Sequence, residues 1–384
     1  MLCGVALLAA FGAGVLIGAR QAHAAAPFSL LTDVVAVLEK DFYGTLPPRA
    51  ARTRAAVQGL LYTLDDSHTY LIEPQPAQQE LLQLSGDYSE EDVGVHLWWS
   101  TDGQIGLTPY LDGPAAQAGV KAGDYLLSID GIAVHEANAS DNLFTIAQRL
   151  RGPEGSPVTL EIARPPHPTA TLVITRAPVV RPSIHWRIIR PEAAIAYLRI
   201  ETVTDQTAQE VSIALSDLRT HGVTRLILDL RNNGGGVLAS LPRLLGLFLG
   251  EGTVIYRTAT RDAEQVTYST GQAQYQEALV VLVNAQTASA AEIVAAALAE
   301  QGRAPLLGAP TYGKGSIQSL YPLRDGSTLH ITSAVWLTAQ EHPLEGAGLV
   351  PALTPDALLP THNSYPPWVD EMIEAACIYL QGNE

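Results

Sequence analysis

Between Leu279 and Gly302 the chain runs an apolar stretch, a short polar turn and an alanine-rich stretch in immediate succession. Leu279-Val-Val-Leu-Val283 reads as a buried strand, and Ala290 to Glu300 carries a helical pattern closed by Gly302. Upstream the same alternation recurs: Ala193 to Ile200 reads as a strand, Asp205 to His221 as a helix and Val223 to Leu230 as a second strand. Strands alternating with helices point to an α/β layer. Ser289 then falls where a strand hands over to a helix start, facing unpaired backbone N–H groups and the positive end of the helix dipole. A hydroxyl there that attacked a carbonyl would find its oxyanion stabilised. Ser289-Ala-Ala-Glu292 also satisfies a capping box, a purely structural role that competes with the chemical one.

Lys314 tips that balance. Of 23 basic residues only Lys40, Lys121 and Lys314 are lysines, against twenty arginines (23 − 3). In a chain that so favours Arg, Lys314 stands between two glycines with no carboxylate between Ala304 and Leu323. A guanidinium stays charged, whereas an ammonium in a dry pocket has its pKa pulled down until it serves as a base. A solvated loop charge is the bland alternative.

Thr287-Ala-Ser-Ala-Ala-Glu-Ile293 and Thr311-Tyr-Gly-Lys-Gly-Ser-Ile-Gln318 together resemble the Ser-Lys signature of the carboxyl-terminal processing peptidases, the tail-specific proteases of family S41. The family's spacing of nucleophile to lysine is matched here by 314 − 289 = 25. The resemblance implies Ser289 as nucleophile, Lys314 as base, and Gln318 as the residue orienting the amine. An offset of four keeps the last two on one side of a helix or a strand. Leu228-Asp-Leu-Arg-Asn-Asn-Gly-Gly-Gly236 is similar to the family's oxyanion loop, with Gly234 where proline is common. The resemblance therefore assigns the backbone N–H groups of Gly235 and Ala290 to the oxyanion hole. Only a residue without Cβ lets the backbone come that close to a substrate carbonyl.

A length of 384 residues suits two or three domains, and a formal charge of −16 argues against nucleic acid and anionic membrane surfaces as partners. The 18 residues Leu2 to Ala19 carry no charge and are followed by Ala22-His-Ala24, the small-x-small form of a signal-peptidase site. Residues 1–24 are thus expected to be a secretory signal, the alternative being a membrane anchor, and the protein is expected to be exported to a bacterial periplasm or cell envelope. Any membrane association would run through that segment. Of the two cysteines only Cys377 lies beyond it, so no disulfide framework is expected, and no metal-ligand motif or cofactor is indicated.

Residues 27–84 read as a helical region. Gly59 to Leu71 is similar to the family stretch that precedes its PDZ module; within it Asp66-Ser-His68 reads as a turn, since contiguous residues cannot converge on one atom as a catalytic triad. From 85 to 177 short β-like runs separated by Gly and Pro, with a helical pattern at Ser140 to Leu150, resemble a PDZ domain. That resemblance implies a peptide added to a sheet edge, with backbone groups of Val93, Gly94 and Val95 holding a terminal carboxylate, and hence protein or peptide partners with free, apolar C-termini. Residues 178–384 complete the reading as the peptidase core with a C-terminal tail, including a helix at Trp368 to Tyr379. His330 and His342 show no sequence partner for a Ser-His site.

The expected architecture is an α/β multidomain chain: an N-terminal helical segment, a β-rich PDZ domain and a crotonase-like α/β serine peptidase core. The expected activity is endopeptidase cleavage near C-termini. A catalytically inactive PDZ-containing peptide-binding protein is the alternative, and a crotonase-type acyl-CoA enzyme is disfavoured because so basic-poor a chain advertises no site for a phosphate-rich cofactor. The sequence sets no oligomeric state.

Overall fold

The computed structural model describes residues 28–382 apart from 88, 101, 111, 135–142 and 360–368. The expected signal segment 1–24 lies outside the described residues, as do Ser140 to Asn142 and Trp368 of the two expected helices. The chain divides into two compact units, Met1–Asp65 and Asp66–Glu384. In the first, α1 (Ser29–Asp41) and α2 (Arg49–Tyr62) bury none of their residues, and Arg52 and Glu39 form an ion pair at 3.0 Å.

The second unit opens with β1 (Tyr70–Ile72) and α3 (Pro74–Ser85). A strand inside the region expected to be helical has a tertiary cause: Tyr70 to Ile72 pair antiparallel with Thr328 to His330, completing a sheet far along the chain. Asp66 caps the preceding turn, accepting from His68 N at 2.9 Å and Thr69 Oγ1 at 2.6 Å, so the Asp-Ser-His run is a turn.

A β-rich module follows. β2 (Ser89–Asp92) pairs with β9 (Ala177–Val180). β3 (Val95–Trp99), β4 (Ile105–Pro109), β5 (Asp124–Ile129), β6 (Ile132–Ala133), β7 (Pro157–Arg164) and β8 (His167–Thr175) form one sheet in the order β3-β4-β5-β7-β8, with β6 on β5. Its core is Leu107, Ile129, Leu160, Ile162 and Ile174, closed by Ile146 and Leu150 of α5 (Leu143–Leu150); the short α4 (Pro114–Gln117) adds Ala115. β3 lies at the edge of this sheet.

The remaining sheet of the centre is β10 (Ile184–Arg190), β11 (Ile195–Ile200), β12 (Arg225–Asp229), β15 (Ala278–Val283) and β16 (Leu306–Gly308), parallel from β11 onwards with β10 antiparallel on the edge. Alternation along the strands fills two layers. Leu198, Leu226, Leu228 and Val281 pack with α6 (Thr207–Thr220), α7 (Leu241–Leu249) and α8 (Ala290–Glu300), while Tyr197, Ile227, Val280 and Leu282 pack with α10 (Glu371–Gly382). A parallel sheet covered on both faces explains why the strands read as unbroken apolar runs. The short α9 (Pro355–Leu358) precedes α10. β13 (Val254–Thr260) and β14 (Glu264–Tyr268) form a hairpin and join β17 (Ser316–Pro322), β18 (Thr328–Thr338) and β1 in a further sheet. The architecture is thus mixed α/β, with helical and β-rich regions.

Candidate active site

β12 and β15 are parallel neighbours, so their carboxyl ends open side by side into residues 230–236 and 284–289, the place where open α/β sheets receive ligands. Side chains lock the two loops together. Thr287 Oγ1 donates to Leu230 O at 2.9 Å, Ala288 N to Asn233 O at 2.9 Å and Asn284 Nδ2 to Asn232 Oδ1 at 2.8 Å. Asn233, fully buried, donates its Nδ2 to Ile200 O at 2.9 Å.

Ser289 ends this connection with φ 56° and ψ −123°. A helix cap is ordinarily extended, and a serine held at positive φ costs about 1–3 kcal/mol, so capping alone leaves the conformation unexplained. Ser289 and Glu292 together form a capping box, in which Glu292 Oε2 accepts Ser289 N at 2.9 Å. Gly235 lies directly against this residue. At φ 108°, a Cβ there would stand 2.8 Å from Ser289 Cβ and 3.0 Å from Ala290 N, which is why glycine occupies the position.

Glu292, wholly buried, does more than cap. Its Oε2 also accepts Lys314 N at 2.9 Å, and Oε1 accepts Gly313 N at 2.7 Å and Thr311 Oγ1 at 2.5 Å. One carboxylate thus ties the start of α8 to the loop carrying Lys314. Trp336 Nε1 holds that loop from the other side, donating to Lys314 O at 2.8 Å.

Ser289, Lys314 and Gln318 line one cavity of about 810 Å³. Burial lowers the Lys314 pKa from its ordinary value against the opposing pull of Glu345 and Glu80, which the fold brings near a segment that has no carboxylate of its own. No hydrogen bond joins the Lys314 amine to Ser289 Oγ among the described residues, a looseness common before substrate binds. Gln318 reaches the cavity differently from the simple offset of four. Lys314 precedes β17, and a register shift between Ile317 and Gln318 re-aims the side chain. Its Nε2 donates to Ser316 Oγ at 3.0 Å and Thr332 Oγ1 at 3.3 Å, which leaves Oε1 as the side chain's acceptor.

The Ala290 N–H has no acceptor among the described residues. The Gly235 N–H does have one: it donates to Asn233 Oδ1 at 2.9 Å, so here it is turned into the loop rather than toward an oxyanion. The groups expected to hold a substrate tail also divide. Val95 lines the cavity together with His96, Leu97, Leu143 and Ala147, which places the β3 edge and the face of α5 on the same opening as Ser289. Val93 and Gly94 turn their N–H groups to the side chain of Asp92, at 2.5 and 3.4 Å. Sequence reasoning also missed His330, which lines the cavity with Nε2 3.0 Å from Glu80 Oε2 and its ring stacked on Tyr70; only the pairing of β1 with β18 brings these groups together. His342 is bound to Glu300 Oε1 at 3.1 Å, as part of no site.

A serine at positive φ at a helix start, an amine with lowered basicity and the edge of a β-rich module share one opening, the groups a serine hydrolase acting on peptides would need. The profile of peptidase family S41 matches residues 194–355 and that of a PDZ domain residues 108–164. The carboxyl-terminal-processing protease of Synechocystis sp. is 33% identical over 305 residues, covering 78% of this chain and 70% of that protein, and the one from Picosynechococcus sp. is 34% identical over 299 residues, covering 77% and 71%. A solved putative S41 protease from Bacteroides fragilis, 17% identical, superposes with a TM-score of 0.53 over 91% of this chain and 97% of its own, a likeness of fold. The chain belongs to peptidase family S41, among the carboxyl-terminal-processing proteases, and is a serine-type hydrolase with a PDZ domain.

Proposed function

We propose that the protein cuts peptide bonds near the C-termini of exported proteins, with Ser289 as nucleophile and Lys314 as base. The observation that carries this is Ser289 held at positive φ on the wall of the cavity that also receives the half-buried Lys314 amine. Neutral Lys314 takes the Ser289 proton as Oγ bonds to the scissile carbonyl carbon. The ammonium returns that proton to the leaving amine as the C–N bond breaks, and water then releases the acyl group from Oγ. The Ala290 N–H faces the developing oxyanion, and the Gly235 N–H joins it by leaving Asn233 Oδ1. Gln318 Oε1 aims the amine.

The groove between β3 and α5 receives an extended tail with apolar end residues, matching Val95, Leu97, Leu143 and Ala147. Residues 85–177 act as the PDZ module and 178–384 as a peptidase core with crotonase-like layering, behind the helical region 27–84. Residues 1–24 direct export. Among the described residues no helix is long and apolar enough to cross a membrane.

The test compares two bases on the same wall. Lys314→Arg should abolish cleavage of a tail-bearing protein with the folded spectrum retained, while His330→Gln should keep most of it. The reverse outcome would transfer the base role to the Glu80-bound His330. Ser289→Ala should abolish cleavage while costing no more stability than a lost N-cap, about 0.5–2 kcal/mol.

A further inference from the structure

The backbone groups of Val93, Gly94 and Val95 are where the PDZ resemblance places the carboxylate of a bound tail. In this chain the N–H groups of the first two are already taken. Asp92 Oδ1 accepts Val93 N at 2.5 Å and lies 3.4 Å from Gly94 N, while the Val93 and Gly94 carbonyls are bonded to Ala115 N and Tyr110 N. Asp92 is 6% exposed and is held from two further directions, with Oδ2 3.9 Å from Arg151 Nε and 3.8 Å from Arg181 Nη2. Both guanidiniums lean more closely on Glu90, at 3.0 Å each. The acidic residue is thus seated inside the cradle. Arg181 itself reaches the cavity beside His96 and Leu97.

We propose that Asp92 is a specificity-determining residue that stands in for the ligand's own carboxylate, so that the groove selects tails by their apolar side chains and main-chain pairing rather than by a free terminal charge. The proposal rests on the reading of this groove as the tail-binding site. Two carboxylates cannot share the same pair of N–H groups without strong repulsion, so a terminal carboxylate must displace Asp92 or stop short of the cradle. Stopping short leaves β3 free to pair with the tail, since strand addition uses the strand edge and not the loop. The substrate class that follows includes tails whose terminal carboxylate is blocked and segments close to, but not at, a chain end.

The experiment measures binding to the full chain carrying Ser289→Ala, which prevents turnover. The probe is one fluorescein-labelled peptide with apolar end residues, prepared as the free acid and as the C-terminal amide. The expected result is affinities within about threefold of each other for the Asp92 form, and at least a tenfold preference for the free acid once Asp92→Ala empties the cradle. Asp92→Asn, which keeps the backbone acceptor without the charge, guards against misfolding and should raise the free-acid preference by a smaller factor. A tenfold or greater free-acid preference with Asp92 in place, or a ratio unchanged in both variants, overturns the proposal alone. If neither peptide binds any form, and Ala147→Glu in the groove leaves cleavage intact, the tail-binding reading falls and the proposal with it.

Discussion

Replacing Glu292 by glutamine should disable the protein without unfolding it. All four groups bound to this carboxylate are donors: Ser289 N, Lys314 N, Gly313 N and the Thr311 hydroxyl. An amide can face only one pair of them with its oxygen. With its NH2 on the Ser289 and Lys314 side, two bonds are lost; on the other side the Gly313 bond is lost, and the Thr311 hydroxyl can turn to accept. The second orientation is cheaper. It forfeits one hydrogen bond to a charged acceptor, about 1.5–3 kcal/mol, and weakens two others by about 1 kcal/mol each, giving roughly 3–5 kcal/mol in all. A domain stable by about 5–15 kcal/mol survives that loss. Urea unfolding measures the stability, and the rate of labelling by a serine-directed phosphonate at a temperature where the variant is fully folded measures the site. The expected result is a labelling rate reduced by at least tenfold, because the start of α8 and the Lys314 loop no longer share an anchor. A variant within 1 kcal/mol of the parent and labelled at the parent's rate would refute the reasoning.

Cleavage should rise with pH and level off below the range in which an ordinary lysine titrates: the active form of Lys314 is the neutral amine, and burial lowers its pKa against the opposing pull of Glu345 and Glu80. A profile at constant folded fraction, measured with the parent and His330→Gln, checks this. The stacked pair His96 and His185, with ring centroids 3.7 Å apart, joins β3 to β10 and should make the fold acid-sensitive. Burial, then Arg199 and Arg181, hold His185 down to about 3, and burial with His185, Arg187, Arg199 and Arg181 keeps His96 well below its usual value; Tyr110 and Glu201 are the other titratable neighbours. Both histidines are neutral in either state above about pH 6.5. As pH falls below that, the unfolded chain takes up protons the folded one refuses, so stability declines on the order of 3 kcal/mol by pH 4 for His185 alone. Urea midpoints across that range should fall less steeply in His185→Phe.

Much of the site could be read from residue order because its parts are local. Strand, turn and helix around Ser289 follow one another, and the spacing to Lys314 sits in a single connected stretch. What stayed hidden depends on partners distant in the chain or on which way a backbone group points. Glu292 read as half of a capping box, since nothing in Ser-Ala-Ala-Glu shows that Thr311, Gly313 and Lys314 will converge on it. Lys314 stood in a stretch without carboxylates, yet folding sets Glu80 and Glu345 near it, and its basicity falls only because burial outweighs both. Gly235 was located by motif, but a peptide plane aimed at Asn233 Oδ1 leaves no trace in composition. The short strand Tyr70–Ile72 lost its helical reading to a partner strand more than two hundred residues onward.

Arg231, in the glycine loop, donates to Asp229 at 2.6 Å and to Asp370, just before α10, at 2.7 Å, and Asp229 also accepts the Tyr197 hydroxyl at 2.7 Å. The segment matched by the family profile, residues 194–355, contains the loop but not Asp370 or α10, nor the strand Ile184–Arg190 that flanks Tyr197. A fragment excised to those limits would strip one face of its sheet and release the guanidinium that braces the turn beside Ser289. Anyone wishing to study the hydrolase in isolation should therefore trim from before Ile184 and keep the chain through Gly382.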